Sequence, residues 1–245
     1  MNLLELKHST LQRGGRTLFS GFSRAIAAGR VTVIMGPNGT GKSSLLLALA
    51  GMIPVSGEII LQNKRLSEYS RAGIAQKIAW QGDLPPTEFG LTVAQRLRLA
   101  GGPGDADINA PAGIMEVRGL LDRTLGDLSS GERQRVELAA LMLRDCPVWL
   151  LDEPTTHLDL RHQMICLNML WQQSEHGRAV VVVLHDIQQA MKIADDVILL
   201  DGHGNIETDN ASMMLTRERL QAVFGVPLHE TSLLPEYQES EHEST

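Results

Sequence analysis

Gly36-Pro37-Asn38-Gly39-Thr40-Gly41-Lys42-Ser43-Ser44 is the stretch on which the reading of this chain turns. Val31-Thr32-Val33-Ile34-Met35 runs directly into it, β-branched and apolar, as a parallel strand covered on both faces would be. Leu45-Leu46-Leu47-Ala48-Leu49-Ala50 follows, built of strong helix formers and stopped by Gly51 at a C-cap position. Strand, glycine-rich turn and helix are the setting in which G-x-x-x-x-G-K-[ST] cradles a phosphate chain. Gly39 and Gly41 let the backbone curl until its N–H groups converge on an anion, and the positive end of the helix falls on the same spot. Lys42 would reach the β- and γ-phosphates, and the Ser43 hydroxyl would take a Mg²⁺ position. A glycine turn with an exposed lysine would look similar, but would not need this strand and this helix on either side.

The 245 residues are long enough for one domain with a large core, and 43% hydrophobic with 21% charged residues is ordinary for a globular chain. A net charge of −7 argues against nonspecific nucleic-acid binding. Cys146 and Cys166 lie in apolar surroundings, as reduced core residues do. Met1-Asn2-Leu3-Leu4-Glu5 does not read as a signal peptide, and no run of about 18 apolar residues predicts a membrane span. Any membrane role is therefore expected through partners.

Along the chain, Leu3 to Thr10 and Thr17 to Ala25 predict strands joined by the turn Arg13-Gly14-Gly15-Arg16, with Gly57 to Leu61 as a further strand of that antiparallel ribbon. Ser67 to Gln76 predicts a helix, Ile78 to Gln81 a core strand, and Gly82 to Gly90 a loop stiffened by Pro85 and Pro86. Leu91 to Ala100 and Gly113 to Arg123 predict helices separated by a glycine- and proline-rich break from Gly101 to Pro111. Strand signals return at Val148 to Leu151, Ala179 to Leu184 and Val197 to Leu200. Between them stand a helix from Leu160 to Glu175, with Met164, Leu167 and Trp171 on one face, and another ending at Ala194. Asp201 to Asn205 predicts a tight turn, Thr216 to Phe224 a last helix, and the acidic end from Pro235 to Thr245 disorder.

Two further segments carry chemistry. Val148-Trp149-Leu150-Leu151-Asp152-Glu153-Pro154 is a buried strand ending in two carboxylates, at the strand edge where open α/β sheets bind ligands. Asp152 would hold Mg²⁺, directly or through water, and Glu153 is placed to act as general base on a water attacking the γ-phosphate. Leu128-Ser129-Ser130-Gly131-Glu132-Arg133-Gln134-Arg135 opens a helix through Arg144, with Ser129 and Glu132 spaced as a capping box. A capping box alone is a structural device; a capped helix start with small residues is also an anion site.

Phosphate loop, Leu-Ser-Ser-Gly-Glu segment, Leu150-Leu151-Asp152-Glu153-Pro154, Thr155-Thr156-His157-Leu158-Asp159 and His185 come in the order of ATP-binding-cassette ATPases, and the chain resembles that family over essentially its whole length. The resemblance implies an α/β P-loop NTPase core with a mainly parallel sheet, an N-terminal antiparallel ribbon and an inserted helical subdomain. As domains this means one nucleotide-binding domain over 1–245, with core 1–90 and 146–230, helical subdomain about 91–145 and tail 235–245. ATP and Mg²⁺ are the implied cofactors, held by Gly36, Pro37, Asn38, Gly39, Thr40, Gly41, Lys42, Ser43 and Ser44, with Ser43, Gln81 and Asp152 at the metal. It also implies a homodimer in the ATP-bound state, in which Ser129, Ser130, Gly131 and Glu132 of one copy close on ATP held by the other and Asp159 touches the opposite phosphate loop. His185, at a strand end like Asp152, is the implied switch histidine, bonding the γ-phosphate and orienting Glu153; His157 and His162 carry no catalytic expectation.

The chain departs from the family pattern in three respects. Arg13 stands where an aromatic ring usually stacks on adenine; a guanidinium can stack on a flat ring or stay solvated, and both readings stay open. Ser130 replaces the first signature glycine and Glu132 the glutamine; the glutamate is a familiar variant, whereas the serine adds a side chain near a site that closes on phosphate, which predicts slower turnover without lost binding. Gln81 is the candidate switch glutamine, although counting back from Leu91-Thr92-Val93 puts Asp83 at that position; an extended strand faces both the same way.

A single cassette without a fused span resembles the separate ATPase subunit of a bacterial importer. The run Asp152 to Asp159 with His162-Gln163, and Leu220 to Pro227, resemble the subgroup serving iron–siderophore, haem and cobalamin uptake. The implied partners are integral membrane permease subunits, whose short cytoplasmic helix a groove beside Gln81 and the helical block would receive, and indirectly a substrate-binding protein. No nucleic-acid partner is implied. The implied place is the cytoplasmic face of the inner membrane, and the cargo never touches this subunit. The alternative is a soluble cassette ATPase acting in cofactor assembly or as a scaffold. A small-molecule kinase would share only the phosphate loop.

Overall fold

The apolar run before the phosphate loop becomes β3 (Arg30–Met35), in the middle of a six-stranded sheet. The computed structural model describes residues 1–87, 90–102, 106–225 and 227, so the tail 235–245 lies outside the described residues. In the central sheet β3 is flanked by β9 (Asp196–Leu200) and β8 (Ala179–Val183), and β7 (Val148–Asp152) and β6 (Ile78–Gln81) continue outward from β8, all parallel. Parallel strands need helical crossovers, and helices on both faces leave every side chain of an inner strand out of water. All five residues of β8 and of β9 are accordingly buried.

The alternation of side chains splits these strands between two cores. Val180 and Val182 of β8, with Trp149 and Leu151 of β7, pack with α3 (Val93–Gly101), α5 (Ser130–Met142), α6 (Leu160–Glu175) and α7 (Ile187–Ile193). Val181 and Val183, with Val148 and Leu150, pack on α1 (Lys42–Leu49) and the ribbon. That ribbon is a four-stranded antiparallel sheet in the order β2-β1-β4-β5, with β1 Asn2–Arg13, β2 Arg16–Ala27, β4 Ser56–Leu61 and β5 Lys64–Arg65. Helix α1, apolar on nearly all sides, is thereby buried between the two sheets, which holds the phosphate loop rigidly at its start.

Four local expectations are corrected. The segment Ser67 to Gln76 is not one helix: a 3₁₀ turn at Leu66–Glu68 precedes α2 (Arg71–Ala75), because Ser70 is extended and its hydroxyl accepts from the Gly73 N–H as an N-cap, 3.0 Å away. Gly113 to Arg123 is not a helix either. Helix α4 (Asn109–Ile114) begins inside the expected break, with Pro111 in its first turn where a missing N–H costs nothing. It stops when Glu116 takes φ +55°, and the chain reverses to bury Met115 and Val117 before a 3₁₀ turn at Arg118–Leu120. On α6 the core stripe is Cys166, Leu167, Leu170 and Ser174, whereas Trp171 lies one residue round the helix and is 50% exposed. Finally β10 (Ile206–Asn210) and α8 (Ala211–Met214) were not anticipated. β10 is a polar edge strand antiparallel to β9, registered by a turn in which Asp201 accepts from the His203 and Asn205 N–H groups. The last helix, α9 (Arg217–Phe224), is where Thr216 to Phe224 placed it. Cys146 and Cys166 are buried and unpaired, and burial pushes the Cys166 thiol up to about 12, which leaves it unreactive.

Candidate functional site

The C-terminal ends of β3, β6, β7 and β8 share one edge of the sheet, and each carries a candidate residue over that edge. The loop Gly36–Gly41 leaves β3. Gly36 has φ +147°, and a Cβ there would stand 2.1 Å from the Leu200 carbonyl oxygen, so only glycine lets the loop pass β9. Gly41, at φ +105°, caps α1 in the left-handed region without a side-chain hydrogen bond, and its missing Cβ makes room for Leu18. No side chain therefore competes for the first-turn N–H groups of α1, and Lys42, Ser43 and Ser44 line a cavity of about 810 Å³.

Lys42 is folded back onto this loop, its Nζ donating to the Gly36 and Pro37 carbonyls at 2.9 Å each. Burial lowers its pKa, while Glu153 and Asp152 act to raise it. The ammonium is thus held at the loop by two backbone acceptors. Across the same cavity stand Glu153 and His185. Asp152 of β7 is in register with Val183 of β8, so the residues that follow leave the sheet side by side. Glu153 Oε1 meets His185 Nε2 at 2.5 Å, and the Thr156 hydroxyl lies 3.4 Å from the other carboxylate oxygen. Glu153 turns out of the strand at φ +50°, a conformation rare for a residue with a Cβ.

An adjoining cavity of about 250 Å³ is lined by Ser43, Gln81, Asp83, Gln134, Asp152 and Glu153, among others. Its oxygens fit a hard divalent cation. Asp152 Oδ1 and Gln81 Oε1 are buried without a partner, and the Ser43 hydroxyl bonds the Asp152 carboxylate. Burial raises the Asp152 pKa against that bond, with Glu153 and Asp83 adding to the rise, which a bound cation would relieve. Between the two switch candidates, Gln81 is buried, its Nε2 tied to the Gly82 carbonyl at 2.8 Å with the oxygen left over, whereas Asp83 is exposed.

The remaining expected residues are not brought to these cavities within one chain. Ser129 caps α5: its Oγ accepts from the Glu132 N–H at 3.2 Å, and Glu132 accepts from the Ser129 N–H at 2.9 Å. The Ser129 N–H and then its hydroxyl hold the Glu132 carboxyl below the ordinary carboxylate range. Ser130 is exposed, and Gly131 packs on the loop after β7, where a Cβ would come 2.7 Å from the His157 carbonyl. Asp159 caps α6, accepting from the His162 N–H at 2.8 Å.

Two groups escaped the sequence reading. Gln134 is 3% exposed, and its Nε2 donates to the Pro154 carbonyl at 2.8 Å, tying α5 to the turn that carries Glu153. Its signal was available: a polar residue four and seven positions before Leu138 and Leu141, on the buried stripe. Arg16 and Leu18 line the larger cavity beside Arg13, and nothing in their local sequence marks them.

A phosphate loop facing a carboxylate–histidine pair over one sheet edge is an arrangement that can be compared directly. A family model described as ABC transporter matches residues 19–156. The hemin import ATP-binding protein HmuV of Pseudomonas fluorescens is 32% identical over 253 residues, covering 98% of both chains. The chain belongs to the ABC transporter family. HmuV of Streptomyces coelicolor is 39% identical over 197 residues, covering 76% of this chain and 70% of its own. The achromobactin transport ATP-binding protein CbrD of Dickeya dadantii is 30% identical, covering 92% and 89%. Among solved structures, one assigned to a metal-chelate type ABC transporter in an inward-facing conformation superposes with TM-score 0.82 at 24% identity, covering 97% of this chain and 99% of that one. A nucleotide-free ATP-binding cassette gives 0.74 at 20%, covering 91% and 95%. At these identities the structures bear on the fold, which is that of the ABC ATPases. As a member of this family the chain is an ATP-binding, ATP-hydrolysing subunit. Among the described residues no helix is long and apolar enough to cross a membrane.

Proposed function

We propose that this chain powers a bacterial importer of a metal chelate, such as haem or an iron–siderophore complex. In this reading two copies sit beneath integral membrane permease subunits at the cytoplasmic face of the inner membrane, and a substrate-binding protein delivers the cargo. The observation that carries it is the end-to-end similarity to the hemin import protein, supported by the achromobactin transport protein. The residues argue for the chemistry. Lys42 and the N–H groups of the loop bind the β- and γ-phosphates; Glu153 takes the proton of the attacking water; His185, 2.5 Å from it, holds the carboxylate in position and donates to the γ-phosphate. Ser43, Gln81 and Asp152 would hold Mg²⁺, which supplies charge neutralisation on the phosphates.

Ser129, Ser130, Gly131, Glu132 and Asp159 complete the site of a second copy, which accounts for their exposure or separate location in a single chain. Segment 91–145 acts as the helical subdomain facing the permease, inserted between core segments 1–90 and 146–230. The cofactor-assembly scaffold finds no support in the relatives, whose names are of import and transport. Affinity purification from detergent-solubilised membranes of the native host tests the proposal. An integral membrane permease should copurify in stoichiometric amount and stimulate ATP hydrolysis; a soluble partner with no permease would overturn it.

A further inference from the structure

Glu116 stands at the turn that ends α4, at φ +55°, with Met115 and Val117 buried on either side of it. The turn is fixed from α5: Arg135 Nη1 donates to the Met115 carbonyl at 3.0 Å and to the Glu116 carbonyl at 2.7 Å. The carboxylate reaches the other way, to α6. Arg161 donates to its Oε1, and His162 Nε2 lies 3.3 Å from its Oε2. The same imidazole meets Asp159 Oδ1 through Nδ1 at 2.8 Å, and that oxygen also accepts from the His162 N–H. One residue is thereby clasped to α5, which Ser129 caps, and to the start of α6, which Asp159 caps.

Neither helix needs this clasp in order to form. Each has its own side-chain cap, and both pack apolar stripes into the same core. The side chains of Arg161 and Glu116 are 71% and 35% exposed, so water screens their attraction and it adds little to stability. What the clasp fixes is relative position. A guanidinium and an imidazole approach the two carboxylate oxygens separately, which sets the orientation of the carboxylate as well as its place. Glu116 lines neither the larger cavity of its own chain nor the adjoining one.

Resting on the reading above, in which Ser129, Ser130, Gly131 and Asp159 complete the site of a second copy, we propose that Glu116 is a positioning residue for the ATP held by that copy. It sets the spacing between the start of α5 and the start of α6, so that both reach one nucleotide together. A displacement of about 1 Å far from the chemistry can cost up to about a hundredfold in rate, so a modest loosening here is felt at the partner's site.

The test uses the full chain. Glu116→Gln keeps the shape and removes the charge that holds Arg161. ATP affinity of dilute single chains, set by the phosphate loop and Lys42, should stay within about twofold of normal. Turnover should fall about tenfold with KM little changed, and thermal melts should not move. The deciding step mixes Glu116→Gln with Lys42→Ala in equal amounts. Lys42→Ala lacks its own grip on phosphate but offers an intact Ser129 and Asp159 to a partner. Half of the dimers then hold one of each, and one of the two symmetry-related sites in these is whole, so turnover should recover to about a quarter of normal. Turnover in the mixture no higher than in Glu116→Gln alone would overturn the proposal, because the defect would then lie in the variant's own site. A lowered melt, or ATP affinity lost along with turnover, would overturn it too. If the unaltered chain stays monomeric with ATP and its turnover per chain does not depend on concentration, the paired reading itself falls. Pairing driven by ATP without recovery in the mixture sinks this inference alone.

Discussion

Glu153→Gln separates chemistry from architecture in this site. The amide matches the carboxylate in shape and can still hydrogen-bond His185, but it cannot accept the proton of an attacking water. A positioned general base contributes about 10²–10⁴ in rate, or about 3–5 kcal/mol of barrier, so phosphate release should fall by at least a hundredfold. Folding should hardly notice. The Glu153 and His185 side chains are 39% and 41% exposed, so the contact between them is screened by water and contributes under about 1 kcal/mol. For a chain of this size that is at most about 2–4 °C in Tm. Removing the one carboxylate that lines the larger cavity among the described residues also removes repulsion on the triphosphate, so ATP should bind as tightly or up to about tenfold tighter. Phosphate release, equilibrium ATP binding and thermal melts, with light scattering for the dimer, read out the four quantities. The expected pattern is lost turnover, retained affinity, an unchanged melt, and a dimer that persists while ATP is present. Turnover within about threefold of normal would refute Glu153 as the base. Lost turnover accompanied by a collapsed melt would refute the claim that the residue acts in chemistry and not in folding.

Asp152→Asn should stop turnover by about a hundredfold or more while making the nucleotide-free protein more heat-stable at neutral pH. Burial raises this carboxyl, so between its unfolded and its higher native value the folded chain keeps a proton the unfolded chain has released; stability falls as pH rises through that window, and at neutral pH the penalty is complete. The stability gain should therefore shrink as melts are repeated at pH values below the carboxylate range, and a variant less stable at neutral pH would contradict the sign. Gln134→Ala leaves the buried Pro154 carbonyl without its donor, which costs about 1–3 kcal/mol of stability in a urea titration. If the bond also steadies the Glu153 turn, kcat should drop about tenfold with KM little changed; a KM effect alone would argue against it.

Local sequence determined the nucleotide-binding character of this protein, because a phosphate loop is contiguous chemistry. Gly36, Gly41, Lys42 and Ser43 lie within one turn, and the apolar run of β3 before them and the helix formers of α1 after them follow from short-range propensity and period. The capping box of Ser129 and Glu132 was legible for the same reason. Where local signals were weak the reading failed. β10 is polar and needs β9 beside it, α4 is ended by the burial of Val117, and Trp171 falls one residue off the core stripe of α6. Only the tertiary structure decided what meets across the cavity. Glu153 and His185 are 32 residues apart and become partners because β7 and β8 pair in register; Arg13 reaches Ser44 across 31 because the ribbon packs over α1. Gln134 reaches Pro154 across 20 because α5 covers that face of the sheet. Such pairings depend on how strands align and layers stack, and burial of the two cores sets that alignment over distances that no local periodicity spans.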